Sequence, residues 1–187
     1  KISFDAFNSS DFETLSLCEQ NILASFPLRS VRSQLKSVLT QVNARSAAFI
    51  LVGANESSVV LVLQVTAGAA YSDSDRQPKQ CSLESRSGLV YKCIKTRKPV
   101  VYSLEDKETL DANVDHLARD KFTTCLLAPI LLENRVVAVV QVFSKLKGDS
   151  DMLGKVSFNA ADSVKAVDSN VLTTAFQRSR AHMHMRR

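Results

Sequence analysis

Apolar residues recur along this chain in two rhythms, and the change from one to the other marks its elements. Ser10 and Glu13 form a capping-box pair, and Phe12, Leu15, Cys18, Ile22 and Phe26 follow at helical spacing until Pro27. Ser30 is placed to cap a second helix, in which Leu28, Val31, Leu35, Val38 and Val42 return at helical intervals. The rhythm then shortens. SAAFILV (46–52) and SSVVLVLQV (57–65) are β-branched and apolar and flank a turn-like GANE, which predicts a hairpin. The small, polar TAGAAYSDSDRQPKQ (66–80) predicts a loop. SRSGLVYKCIKT (85–96) turns Leu89, Cys93 and Thr96 to one side of a helix closed by the basic pair before Pro99, and PVVYS is a short strand. LDANVDHLARD (110–120) predicts a short helix with Leu110, Val114 and Leu117 inward. TTCLLAPILL and RVVAVVQVF, joined by Glu133-Asn134, make the strongest hairpin pattern, and Val164, Val167, Val171 and Ala175 set a last long helix across 160–177.

Two hairpins with helices between and around them argue for an α+β fold: an antiparallel sheet of about five or six strands with helices packed on one face. The chain divides into an N-terminal amphipathic helix (1–29), a folded domain (30–177) and a basic tail (178–187). Its length of 187 residues is enough to bury one real core.

Composition narrows the function classes. The net charge of +5 is concentrated at the end, in Arg178, Arg180, Arg186 and Arg187, and the remainder is close to balance. The body shows no basic stripe with interleaved aromatics, so nucleic acid is not an expected partner. No apolar run reaches the ~20 residues of a membrane span, and no leader pattern opens the chain; a cytoplasmic module cut from a longer protein is expected. Cys18, Cys81, Cys93 and Cys125 lack metal or disulfide spacing and read as free thiols, Cys93 and Cys125 among apolar neighbours. No metal site is expected; His182 and His184 in the tail make a poor one. Phosphate-binding glycine loops, nucleophile elbows and zinc-protease motifs are absent. Asp115 and His116 are adjacent, but neighbours on a helix diverge by about 100°, which makes a dyad awkward. No catalytic residue and no cofactor is assigned.

The stretch VVQVFSKLKGDSDMLGKVSFNAADS (139–163) joins the last strand to the last helix. Lys145 falls just past the strand, Asn159 at a helix N-cap and Asp162 at the third helical position, with Phe158 preceding the cap. A Lys145–Asp162 pair over a buried Phe158 reads as a structural clasp.

These residues resemble the GAF domain family, of the type in cyclic-nucleotide phosphodiesterases. Its motif of Asn-Lys, a spacer and Phe-x-x-x-Asp-Glu is matched at Lys145, Phe158 and Asp162, with Ser144 and Ser163 in place of the Asn and Glu. SGLVYKCIKTRKPVVYS and LDANVDHLARDKFTTCLLAPILLENRVVAVVQVFSK are similar to two further family segments, colinear over roughly 30–177. The resemblance implies a pocket for cAMP or cGMP under short helices, opposite the face covered by the terminal helices. It implies ligand contacts at Ser46, Thr66, Leu89, Val90, Asp115, Arg119, Thr123 and Gln141. Ala118-Arg119 and Phe122 depart from the family's hydroxyl-bearing pattern; a shift of register brings Thr123 to the place of Phe122, and Arg119 can pair with a phosphate.

Three functions are therefore in view. The first is a non-catalytic regulatory module that senses a small molecule, dimerises through its terminal helices and acts on an attached effector domain. The second is a dimerisation and interaction module with a degenerate pocket, favoured by Ala118, Phe122, Ser144 and Ser163. The third is an enzyme like the free methionine sulfoxide reductases, which share the fold; Cys81 and Cys93 fall near the corresponding region.

Overall fold

The computed structural model describes residues 28–53, 56–67, 79–83, 85–103, 110, 115, 123–132, 134–145, 158–159 and 161–162. Helix α1 (Leu28–Val42) leads into strands β1 (Ala44–Val52), β2 (Ser58–Thr66) and β3 (Lys79–Ser82). Helix α2 (Gly88–Thr96) and strands β4 (Val100–Ser103), β5 (Thr124–Leu132) and β6 (Arg135–Lys145) follow. The strands form one antiparallel sheet in the order β3-β2-β1-β6-β5-β4. This is the expected α+β architecture, with the two long hairpins brought together so that β1 and β6 lie at the centre.

Period-two alternation gives the sheet two buried faces. Ala47, Phe49 and Leu51 of β1 join Leu126, Ala128, Ile130, Val140 and Val142 on one face, where Val31, Leu35, Val38, Leu39 and Val42 of α1 close over them. Ala48, Ile50, Leu127, Val139 and Phe143 point to the other face and meet Leu89, Val90, Cys93 and Ile94 of α2. Fully burying a side chain of this kind contributes ~1.5–3 kcal/mol, so both layers hold the sheet. Helix α2 packs on β4, β5 and β6, whereas α1 packs on β1 and β2.

Several local readings are corrected. Helix α1 includes Leu28, which places Ser30 inside the helix rather than at its N-cap. The predicted loop 66–80 gives Thr66 to β2, and Lys79 and Gln80 to β3, a polar strand held by pairing with Ser58–Leu61 rather than by an apolar pattern. Thr96, expected on the inward side of α2, lies exposed at its end, with its hydroxyl donating to the Lys92 carbonyl. Asp115 sits in a turn, not in a helix; of the other residues in 110–120, only Leu110 is described. The N-terminal helix, nearly all of the last helix and the tail lie outside the described residues, and with them the proposed dimer surface.

Left-handed backbone marks the junctions. Asn43 (φ 50°) ends α1, and Arg97 (φ 56°) ends α2 with its N–H donating to the Cys93 carbonyl at 3.0 Å. Asn134 (φ 64°) turns the β5–β6 hairpin. Arg135 then donates from Nη2 to the Gly53 carbonyl at 2.8 Å, tying that hairpin to the β1–β2 turn. The sixth strand includes Lys145, expected just past its end: Lys145 pairs with Ala44, and Ser144 between Phe143 and Lys145 has φ 53°.

That conformation costs a residue with a Cβ roughly 1–2 kcal/mol, and glycine and asparagine visit it most readily. Ser144→Asn and Ser144→Gly are each expected to stabilise the chain by about 1 kcal/mol, raising its melting temperature by ~2–4 °C in a calorimetric scan. A fall in melting temperature with both would mean that Ser144 is held there by something its hydroxyl contributes.

Candidate functional site

Helix α2 opens in an unusual way. Ser87 occupies the N-cap in extended conformation but makes no side-chain cap bond, and Gly88, the first helical residue, has φ 86°, a value that favours glycine. The orphan N–H groups of the first turn still need acceptors. Asp115, far along the chain and 0 % exposed, supplies them: its two carboxylate oxygens each accept one bond, from the N–H of Leu89 and of Val90, both at 2.9 Å. A carboxylate in this place satisfies two buried donors and sits against the positive end of the helix dipole.

The Asp115 backbone carbonyl is held in turn by the sheet. Gln141, at the centre of β6 and also 0 % exposed, donates from Nε2 to that carbonyl at 3.1 Å. The bond fixes the amide orientation, since the flipped amide would set oxygen against oxygen. Nε2 also lies 3.7 Å from Cys125 Sγ on β5. The other end of the same amide, Oε1, is buried and has no hydrogen-bond partner. Leaving such an acceptor unsatisfied costs ~1–3 kcal/mol.

The register shows which residues neighbour Gln141 across the sheet. Gln141 is directly opposite Ala48 on β1, and Ala48 is directly opposite Gln64 on β2, so two amides flank the smallest side chain of the row. A bulge between Phe49 and Ile50 leaves Val62 as the extra residue of β2, which turns Gln64 and Thr66 to the α2 side of the sheet. Ser46 is opposite Thr66 and Phe143 in the next row. The polar residues Ser46, Gln64 and Thr66 therefore gather at one end of the β1–β2 side of this face, which is otherwise apolar, while α2 covers its β4–β6 side.

Of the residues expected to contact a ligand, Ser46, Leu89, Val90, Asp115 and Gln141 are buried on or against this face. Thr66 and Thr123 are exposed, at the end of β2 and just before β5, and Arg119 lies outside the described residues. Leu89 and Val90 take part through their backbone as well as their side chains, a role that sequence spacing does not reveal. Gln64 escaped the sequence reading because only the bulge aims it here. At the clasp, Asn159 and Asp162 cap each other reciprocally, Asn159 N–H to Asp162 Oδ2 and Asp162 N–H to Asn159 Oδ1, both 3.0 Å. Phe158 is 4 % exposed and packs into the α1-side core; the side chain of Lys145 lies outside the described residues.

The thiols near the site are chemically quiet. Burial pushes the Cys93 thiol up to about 12, and burial also pushes Cys125 far above its ordinary range, with Asp115 and Cys93 adding to the rise against the Gln141 bond. Both stay protonated at neutral pH, and a neutral thiol is a poor nucleophile. Among the described residues no group of His, Cys, Asp and Glu could hold a metal ion, and no helix is long and apolar enough to cross a membrane.

The GAF domain profile matches residues 32–161. No curated protein sequence matches the chain. Among solved structures, the chain is similar to the GAF domain of a two-component sensor histidine kinase from Bacillus halodurans, with 17% identity, 83% of this chain and 97% of that one covered, and a TM-score of 0.56. It is similar to the second GAF domain of DevS from Mycobacterium smegmatis, with 13% identity, coverage of 85% and 99%, and a TM-score of 0.57. It is also similar to the free methionine-R-sulfoxide reductase from Neisseria meningitidis, with 17% identity, coverage of 82% and 81%, and a TM-score of 0.54. At these identities the likeness is one of fold.

Asp115→Ala leaves two buried N–H groups without acceptors and is expected to cost about 3 kcal/mol in urea unfolding, with Asp115→Asn recovering part of the loss. An effect under ~0.5 kcal/mol for the alanine variant would show that α2 does not depend on this cap. In native chain near pH 8, iodoacetamide should leave Cys93 and Cys125 unmodified by peptide mass spectrometry, while unfolded chain labels both. Rapid native labelling of either would contradict the burial argument.

Proposed function

We propose that this chain, which belongs to the GAF domain family, is a non-catalytic regulatory module that binds a small molecule on the α2 side of its sheet and relays occupancy to an attached domain. The observation that carries the reading is the buried, unpartnered Oε1 of Gln141. A ligand N–H delivered to that oxygen removes a standing penalty of ~1–3 kcal/mol, a gain that a merely apolar filling would not give. Family membership makes a signalling role the natural setting; the similar structures include a sensor kinase domain and a chemotaxis protein.

A cyclic nucleotide is the first ligand to test, and a phosphodiesterase the first context. A purine edge carries the N–H that Gln141 calls for, beside the apolar walls of Leu89, Val90 and Phe143. The phosphate is less well served, since the N–H groups of Leu89 and Val90 are already taken by Asp115. That same internal use of Asp115 favours a second reading, an interaction module whose pocket is closed by its own side chains. The protonated Cys93 and Cys125 argue against thiol chemistry of the reductase kind.

Thermal unfolding with saturating cAMP and cGMP separates the first two readings. Ligand at ~100 times its dissociation constant adds ~2.7 kcal/mol, or roughly 5–10 °C, and Gln141→Leu should abolish the shift. No shift with either nucleotide, from a stable dimer, would favour the interaction module.

A further inference from the structure

Helix α2 has two unlike sides. Leu89, Val90, Cys93 and Ile94 are buried against the sheet, whereas Lys92 and Lys95 are exposed, and the cationic run continues past the helix in Arg97 and Lys98, exposed as well. From Ser85 to Ser103 the chain has no Asp or Glu. The acids among the described residues lie elsewhere: Asp115 is bonded to the first turn of α2, Glu56 is in the β1–β2 turn, and Asp162 is in the cap after Phe158. Part of this arrangement has an ordinary cause, since cations in a last turn suit the negative end of the helix dipole. That cause does not cover the whole run. Lys92 and Lys95 are three apart on one helix face and repel each other. Arg97 sits at the C-cap with φ 56°, a left-handed conformation in which glycine alone escapes a steric penalty. The backbone at this position favours glycine, and the chain keeps a guanidinium there.

We propose that the C-terminal end of α2 is a docking surface for an acidic, extended segment of a partner protein, held by Lys92, Lys95, Arg97 and Lys98. The surface does not depend on a bound small molecule. From Lys92 to Lys98 the run spans on the order of 10 Å, the length of about three residues of extended chain, so a short run of Glu or Asp can meet it side chain to side chain. A bilayer fits less well, because the apolar side chains of α2 are buried against the sheet and leave nothing to insert among lipid tails. A single-stranded nucleic acid calls for aromatic rings to stack on; Tyr91 packs partly into the α2-side core and Tyr102 is buried. Carboxylates ask only for exposed cations in a row. Each exposed pair is weak and screened by salt, so the run works by number and spacing.

The test measures fluorescence anisotropy of a short labelled peptide of alternating Glu and Ser, with its Gln–Ser counterpart, against the whole chain at about 0.15 M salt. Two double variants remove equal charge from exposed positions: Lys95→Gln with Lys98→Gln on the surface, and Arg29→Gln with Arg45→Gln on α1 and β1. Wild type should bind the acidic peptide and not the neutral one. The first double variant should bind it roughly threefold to tenfold more weakly, and the second within about twofold of wild type. Arg97→Gly separates docking from folding: it should melt higher than wild type and yet bind the peptide more weakly. No binding by wild type, or an equal loss in both double variants, would overturn the surface. Arg97→Gly binding as tightly as wild type would remove Arg97 from it. Tighter binding of wild type to phosphatidylserine-containing vesicles or to a single-stranded oligonucleotide than to the peptide would overturn the choice of partner.

Discussion

A single carboxylate, placed across the first turn of a helix it does not belong to, governs how one face of this domain is assembled. Helix α2 has no side-chain cap from its N-cap residue Ser87, and Gly88 enters the helix at a positive φ. Without Asp115, two buried donors on Leu89 and Val90 would be stranded, and each such loss costs a sizeable part of a domain's ~5–15 kcal/mol of net stability. Asp115 is in turn located by Gln141 through its carbonyl, so helix, turn and central strand form one chain of bonds. The position of α2 over the sheet is therefore not free to drift with side-chain packing alone.

The two faces of the sheet are held by different physics. On the α1 side, the helix follows its own apolar stripe onto β1 and β2, and the junction Asn43 turns it directly into the strand it covers. Packing of this kind is local, forgiving of conservative exchange and nearly non-directional. On the α2 side, apolar contacts are joined by Ser46, Asp115 and Gln141, all at or below 1 % exposure. Buried polar groups demand defined partners, so this face is specified more narrowly than the other.

How much of this was written in the primary structure depends on the distance over which each interaction acts. The long hairpins, α2's apolar side and the reciprocal Asn159–Asp162 cap are local, within a strand pair or four residues, and their patterns are legible. Strand β3 is not, because Lys79–Ser82 has no apolar alternation and exists by pairing with β2. Being polar, Ser144 and Lys145 read as the place where the strand gives out, yet the ladder to β1 includes Lys145 as its last pair. Gln64 needed the bulge at Val62 to reach its face. Asp115 is the most instructive residue. Family resemblance assigns it a ligand contact; in the structure its carboxylate is bonded to an α2 turn 25 and 26 residues away. Nothing in local spacing distinguishes an acid that waits for a ligand from one that has already found a partner.

The difference in scale between these bonds bears on how the proposed occupancy of the site would be read by the rest of the chain. Satisfying Gln141 Oε1 is worth ~1–3 kcal/mol, whereas displacing the Asp115 carboxylate forfeits two charge-assisted bonds of ~1.5–3 kcal/mol each. A ligand that engaged Gln141 by evicting Asp115 would lose more than it gained. Under the proposed function, a ligand at Gln141 would work with the existing bonds: it would tighten Gln141 between ligand and Asp115 carbonyl, and through Asp115 it would tighten α2. Stiffening a helix already in place requires no large movement, and it changes the free energy of every contact α2 makes with β4, β5 and β6. The same carboxylate that completes the fold thus couples the polar end of the site to the helix that covers it.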